Sequence, residues 1–270
     1  HGSRDRKEIQ ELCAMLREAG VVPIVRVPVP MAHWVAMALD AGAAGVLIPY
    51  CETVEEVRDS VGTARLHPLK GEYLRRAIQD GVFPSPRTKE YLENRRRESI
   101  VLVGIESEPG QRNLDAILDV GGIDGIFIGP NDMTTSLGIP DETLNPKYVE
   151  VIKDIVARSE AKHVPVMVFS STMEEQHQAI GLGSRIIFHS TDSRFMQQAI
   201  QQQFAELRAA AGEKEFDLSL VATVQAPPLV RGPHLGPAPP AARHSSSFGH
   251  VYQQASRAAG PAQRSEEHTS

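Results

Sequence analysis

Cysteine is almost absent: Cys13 and Cys51 are the only two in 270 residues. Two widely spaced thiols build neither a disulfide framework nor a zinc site. They read as buried or idle thiols of a reducing cytoplasm. No apolar run approaches the ~20 residues that span a bilayer, so no membrane partner is expected. The start, HGSRDRKEIQ, is charged and polar, unlike a signal peptide, and it has no initiator Met. It reads as the inside of a longer protein or as a processed end. There is no Gly-x-Gly-x-x-Gly, no P-loop and no nucleophile elbow. No lysine ends an apolar run, which weighs against Schiff-base chemistry; Lys162 closes a helical stretch instead. Positive charge is not in excess either. A formal net charge of −6 and a pI near 5.9 argue against nucleic acid as the partner.

What is present is apolar and regularly spaced. Hydrophobic residues make up 41% of the chain, enough for a sizeable core. The length suits one α/β barrel or two smaller domains. Short apolar runs recur at 23–28 (PIVRVP), 44–49, 99–106, 125–129, 165–171 and 185–192. Helical patterns lie between them, at 35–42, 53–65, 111–120, 146–162 and 192–212. Thr53 followed by Glu56 forms a capping box at the start of the second of these. The runs are near-continuously apolar rather than alternating, as in strands buried on both faces. Strand–helix alternation then predicts parallel strands with right-handed crossovers. Six units are visible, where a TIM barrel has eight. The expectation is either an open doubly wound sheet or a barrel whose first two strands are missing.

Two regions break the pattern. Residues 66–98 are long and polar for a connection, with a helix expected around RTKEYLENRRRE. From Asp217 the composition changes, and six prolines fall within residues 226–240. A folded domain is expected over 1–215 and a disordered Pro/Ala/Ser-rich tail over 216–270. The final RSEEHTS resembles a translated sequencing adapter.

Active groups of parallel α/β folds gather at the C-terminal ends of strands. Those positions hold Arg26, Glu106, Asp132, Ser170, Ser171 and the run His189 to Asp192. Glu106 and Asp132 stand at the same ends of successive strands, which lie ~4.8 Å apart. Two such carboxylates can share one hard divalent cation, with water completing its shell. The plain alternative makes Glu106 a helix cap and Asp132 the N-cap of the turn that follows. The metal reading requires both acids on one rim, with neither buried against a permanent cation. Arg26 lies inside an apolar strand, so it must be paired or face the rim. Its planar fork suits a carboxylate or enolate oxygen, and an ion pair with Asp40 is the structural alternative. Backbone amides of the turn Gly129-Pro130-Asn131-Asp132 can hold an anionic group. Pro130 has no N–H, so the donors expected are Asn131, Asp132 or Met133.

Taken together, PIVRVP, LDAGAAGVLIPYCETVEEVRDSV, IESEPGQRNLDAILDVGGIDGIFIGPNDMTTSLGIP and GLGSRIIFHSTDSRFMQQA resemble the HpcH/HpaI aldolases, which are metal-dependent and pyruvate-specific. The resemblance runs from His1 to about Gly212. It implies a TIM barrel of the phosphoenolpyruvate/pyruvate type, incomplete here, in a homo-oligomer that is hexameric in the family. By resemblance Glu106 and Asp132 are metal ligands, for Mg²⁺, Mn²⁺ or Co²⁺, and Arg26 binds pyruvate. The turn Gly129, Asn131, Asp132 holds its carboxylate, and His1 and Asp40 form an acid–base dyad. The implied reaction is retro-aldol cleavage of a 4-hydroxy-2-oxo acid to pyruvate and an aldehyde, through a metal-stabilised enolate. Two departures stand out. Gly104 occupies a position where the family has Gln, and the family's Pro-Pro-x-Gly-x-Arg-Gly loop is reduced to HPLKGEYLRR. Three rivals remain: oxaloacetate decarboxylation as in macrophomate synthase, a citrate-lyase-β-like CoA ester lyase, and an inactive scaffold. The CoA reading would need basic residues for phosphates, and ENRRRE at 93–98 is the only cluster.

Overall fold

Six apolar runs form six strands: β1 (Ile24–Arg26), β2 (Gly45–Ile48), β3 (Ile100–Gly104), β4 (Gly125–Ile128), β5 (Val166–Ser170) and β6 (Ile186–His189). The computed structural model describes residues 5–95 and 98–211. His1 and the tail from 216 therefore lie outside the described residues, as do Arg96 and Arg97 of the basic cluster. The chain divides into His1–Leu207 and Arg208–Ser270. Everything below concerns the first unit.

All neighbouring strands are parallel, in the order β1-β2-β3-β4-β5-β6. Strict sequential order removes the doubly wound alternative, whose strand order reverses at a switch point. The sheet is a half-barrel of six parallel strands, and the described strands of the two edges, β1 and β6, do not pair with each other.

The register explains why the strands look uniformly apolar in sequence. On one face Val46, Ile48, Val101, Val103, Ile126, Ile128, Val166 and Val168 join the main core. The helices that cover them are α3 (Val54–Arg65), α7 (Leu114–Leu118) and α9 (Pro146–Ala161), through Val57, Val61, Leu114, Ile117, Ile152 and Ile155. On the other, inner face Leu47, Leu102, Phe127 and Met167 form a second cluster. Phe188 extends it, with ring centroids 5.8 Å from Phe127 and 5.1 Å from Phe169. Both faces are thus apolar, and period-2 alternation disappears.

The helix starts follow their caps. Thr53 accepts from the Glu56 amide while Glu56 returns a bond to the Thr53 amide, the capping box the sequence predicts. Thr172 and Glu175 repeat it at α10 (Met173–Gly181), and Asp5 and Glu8 at α1 (Arg6–Glu18). Residues 66–98 are not a loop: they contain α4 (Gly71–Asp80) and α5 (Pro86–Arg95). Gly81, left-handed at φ 66°, ends α4. The stretch expected as one helix at 111–120 is two short ones, α6 (Glu108–Arg112) and α7, meeting at Asn113. The Asn113 side chain donates to the Glu52 carbonyl there. No described helix is long and apolar enough to cross a membrane.

Candidate active site

The inner face is where the polar candidates meet. Arg26 is in register with Leu47, which pairs with Leu102. The inner-facing series of β3 runs Ile100, Leu102, Gly104 and, two residues on, Glu106. That of β4 runs Gly125, Phe127 and then Gly129. Gly104 and Gly129 carry no side chain, and the Glu106 carboxylate fills the space they leave. A Cβ on Gly104 would stand 2.7 Å from Glu106 Oε1, and one on Gly129 would stand 3.1 Å from its Cδ. Glu106 is 2% exposed.

Two groups reach that buried carboxylate. Arg26 Nη2 donates to Oε2 at 3.2 Å and to Oε1 at 3.5 Å. Asp132 lies close enough to act on it as well. Burial raises the Glu106 pKa, Arg26 opposes the rise and Asp132 adds to it; the outcome is a carboxyl pushed up to about 7. Arg26 itself is disfavoured as a cation by burial, but the Tyr50 phenol and Glu106 outweigh this and hold it above its ordinary value. The Arg26 guanidinium carbon lies over the Tyr50 ring, 5.0 Å from its centre.

Asp132 is in the first turn of α8 (Pro130–Ser136), whose N-cap is Gly129. It is exposed, as is Asn131. The alternative reading of Asp132 as an N-cap is therefore not met. Glu106 is not a cap either, since Ser107 caps α6. The Met133 amide bonds to the Gly129 carbonyl and so leaves the set of expected donors. The amides of Asn131 and Asp132, in the first helical turn, have no intrahelical acceptor.

The structure brings together Arg26, Glu106, Asp132 and the Gly129–Asp132 turn on one rim. It does not bring Asp40 there. Asp40 ends α2 (Ala32–Asp40), which returns antiparallel to the strands, so it stands at their N-terminal edge. That edge is roughly 15 Å away, one strand length at ~3.3 Å per residue. Asp40 pairs there with His67 Nε2 at 2.9 Å and with Lys70. Burial pushes its pKa up, but Lys70 and His67 together hold it below the ordinary value. The alternative Arg26–Asp40 ion pair is not formed; Arg26 pairs with Glu106 instead. As for the dyad, Asp40 is apart from the rim acids and His1 lies outside the described residues.

Glu106 does have a cationic partner, contrary to the condition set for the metal reading. Both bonds are long for a charge-assisted pair, for which ~2.7–2.9 Å is usual. The Arg26 side chain is also 28% exposed. One guanidinium does not offset burial and the neighbouring Asp132, so the Glu106 pKa stays raised. Among the described residues no group of three or more His, Cys, Asp or Glu side chains assembles as a metal cluster. The two rim carboxylates fit a hard divalent cation that keeps most of its shell for water and a chelating ligand.

Sequence reasoning missed Tyr50, Gly104 as the room for Glu106, and the Asp40–His67–Lys70 cluster. Pro49-Tyr50 directly after an apolar strand was the only local signal for the first.

A family model described as HpcH/HpaI aldolase/citrate lyase matches residues 3–199. A 2-keto-3-deoxy-L-rhamnonate aldolase of Klebsiella pneumoniae is 29% identical over 198 residues, 72% of this chain and 72% of that protein. A hydroxypyruvate/pyruvate aldolase of Roseovarius nubinhibens is 34% identical over 162 residues, and the chain spans 61% of its length while 58% of the chain is matched. The crystal structure of an HpcH/HpaI aldolase from Desulfitobacterium hafniense superposes with a TM-score of 0.64 at 26% identity, covering 77% of this chain and 80% of that one. With the family's model matched over residues 3–199, most of this chain, and a fold shared with a solved member, the chain belongs to the HpcH/HpaI aldolase/citrate lyase family.

Proposed function

We propose that this enzyme is an aldolase-type lyase that cleaves a 4-hydroxy-2-oxo acid to pyruvate and an aldehyde with the help of a divalent cation, Mg²⁺ before Mn²⁺ or Co²⁺. The observation that carries the reading is the convergence of Arg26, Glu106 and Asp132 on one strand-end rim. Family membership and the aldolase names of the relatives support the reaction class.

Glu106 and Asp132 would hold the cation. When bound, it supplies Lewis-acid stabilisation of the oxygen charge that develops as the carbon–carbon bond breaks. Arg26 faces the same space and adds positive charge beside the keto oxygen. The Asn131 and Asp132 amides, without intrahelical acceptors, would receive the substrate carboxylate. Glu106 changes protonation near neutral pH, so cation loading and proton release are coupled at this residue. Asp40 pairs with His67 and Lys70 at the far end of the strands.

The architecture that goes with this reading is a (β/α)₈ barrel lacking its first two strands. The homo-oligomer reading is supported by α11 (Asp192–Ala211), where Phe195, Met196, Ile200, Phe204 and Leu207 are exposed. Apolar stripes of that kind are surfaces that proteins cover. The test is pyruvate release from a 4-hydroxy-2-oxo acid, followed by coupled reduction to lactate. EDTA should abolish the rate and Mg²⁺ or Mn²⁺ restore it. A rate indifferent to EDTA would refute the role of the cation.

A further inference from the structure

Among the described residues two non-glycine positions just past strand ends are left-handed, Tyr50 after β2 and Ser190 after β6, and Tyr50 is the one beside Arg26. Tyr50 has φ +56°, the left-handed region. Asparagine, aspartate and histidine enter that region with some ease, but a tyrosine does so at a real cost. Such strain persists where the surroundings over-determine it, and it gathers at functional sites.

The surroundings here are specific. The Cys51 amide bonds to the Gly104 carbonyl at 3.0 Å, and the Cys51 thiol is fully buried against the Ile48 carbonyl at 3.4 Å. Pro49 packs on Gly104 so closely that a Cβ there would lie 3.0 Å from its Cα. The segment Pro49–Cys51 is thus locked onto the glycine that also gives Glu106 its room. Within it the left-handed backbone places the Tyr50 ring against Arg26, with the guanidinium carbon 5.0 Å from the ring centre. Arg26 is held between an aromatic ring and the Glu106 carboxylate. A guanidinium over a tyrosine ring gains a cation–π attraction. It also loses the freedom to follow Glu106 alone.

We infer that Tyr50 is a positioning residue: its strained backbone aims the ring that keeps Arg26 over the rim, whichever way the Glu106 carboxylate is engaged. This rests on the proposed function, because it takes Arg26 to meet a 2-oxo acid. In that setting Tyr50 would keep the Arg26 guanidinium beside the keto oxygen if Glu106 held a metal ion.

Three variants of the full chain test this: Tyr50→Phe, Tyr50→Leu and Tyr50→Gly. Calorimetric titration with oxalate, a planar dianion resembling the pyruvate enolate, is run in the presence of Mn²⁺. Exchange of the Arg26 guanidinium protons is followed by NMR without metal or ligand. Tyr50→Leu and Tyr50→Gly are expected to weaken oxalate binding roughly tenfold and to speed Arg26 exchange. Tyr50→Phe keeps the ring but loses the phenol that bonds to Arg26, so it should recover part of both. Tyr50→Gly removes the strain as well as the ring, so its stability should fall less than its affinity. Slow Arg26 exchange that is lost with the ring, in a protein that does not bind oxalate, would sink the proposed function and leave the positioning role standing. Unchanged Arg26 exchange and unchanged oxalate affinity in Tyr50→Leu would overturn the positioning role.

Discussion

Replacing Glu106 with Gln should change how stability depends on pH, and the size of the change follows from the site. The carboxyl is 2% exposed, so solvent screening takes little from its interactions. Its ordinary value is 4.5 and its folded value about 7. Between those values the folded chain keeps the proton and the unfolded chain has lost it. Stability therefore falls as pH rises through that window. A gap of ~2.5 pH units at about 1.4 kcal/mol each gives about 3 kcal/mol, lost by about pH 7.5. The glutamine variant has no such proton. The unfolding free energy of Glu106→Gln minus that of the wild type should grow by about 3 kcal/mol between about pH 4.5 and 7.5. In thermal melts that is a relative shift of about 6–12 °C for a unit of this size. Urea titrations with EDTA present measure it directly, and the subtraction removes groups such as Asp40 and Glu175 whose pKa values move the other way. A difference that is flat across this range, or that shrinks, would refute the claim that burial holds the Glu106 pKa well above its ordinary value.

Other parts of the structure make simpler predictions. Gly104→Ala should cost about 1–3 kcal/mol, because the new methyl meets Pro49 backbone as well as the Glu106 carboxylate; denaturant midpoints check this. Arg65 is 8% exposed and donates to the Gly122 carbonyl at 2.9 Å, to the Ser99 carbonyl at 2.6 Å and to Asp124. Arg65→Ala should cost about 2–4 kcal/mol, discounted from a fully buried pair because Asp124 is half-exposed. Thr53→Ala removes a capping-box oxygen and should cost about 1 kcal/mol by the same measurement.

The strands were legible because burial on two faces leaves continuous apolar runs, whatever the register. Arg26, Glu106 and Asp132 were legible because strand ends in parallel folds are where chemistry collects. What sequence could not give was which of them touch. Arg26 and Glu106 are 80 residues apart along the chain, and nothing local distinguishes that pairing from Arg26 with Asp40. Helix direction decides it: α2 runs from the rim back to the other edge and takes Asp40 with it. Tyr50 was hidden for a different reason. Positive φ is read from Gly or Asn, and here the strain is imposed by Cys51 and Gly104, which are held by tertiary contacts. The missed helices α4 and α10 did carry signals, a Gly81 stop and a Thr172–Glu175 capping box, inside stretches whose polarity resembled loops.

The most direct test of the central claim is Mn²⁺ binding to the full chain, followed by electron paramagnetic resonance from about pH 5.5 to 8.5. One ion per chain should bind, with affinity rising as pH passes through about 7 as the Glu106 proton is released. Asp132→Asn should abolish that binding, leaving the fold intact by circular dichroism. An ion that binds Asp132→Asn as tightly as the wild type would show that these two acids are not its ligands.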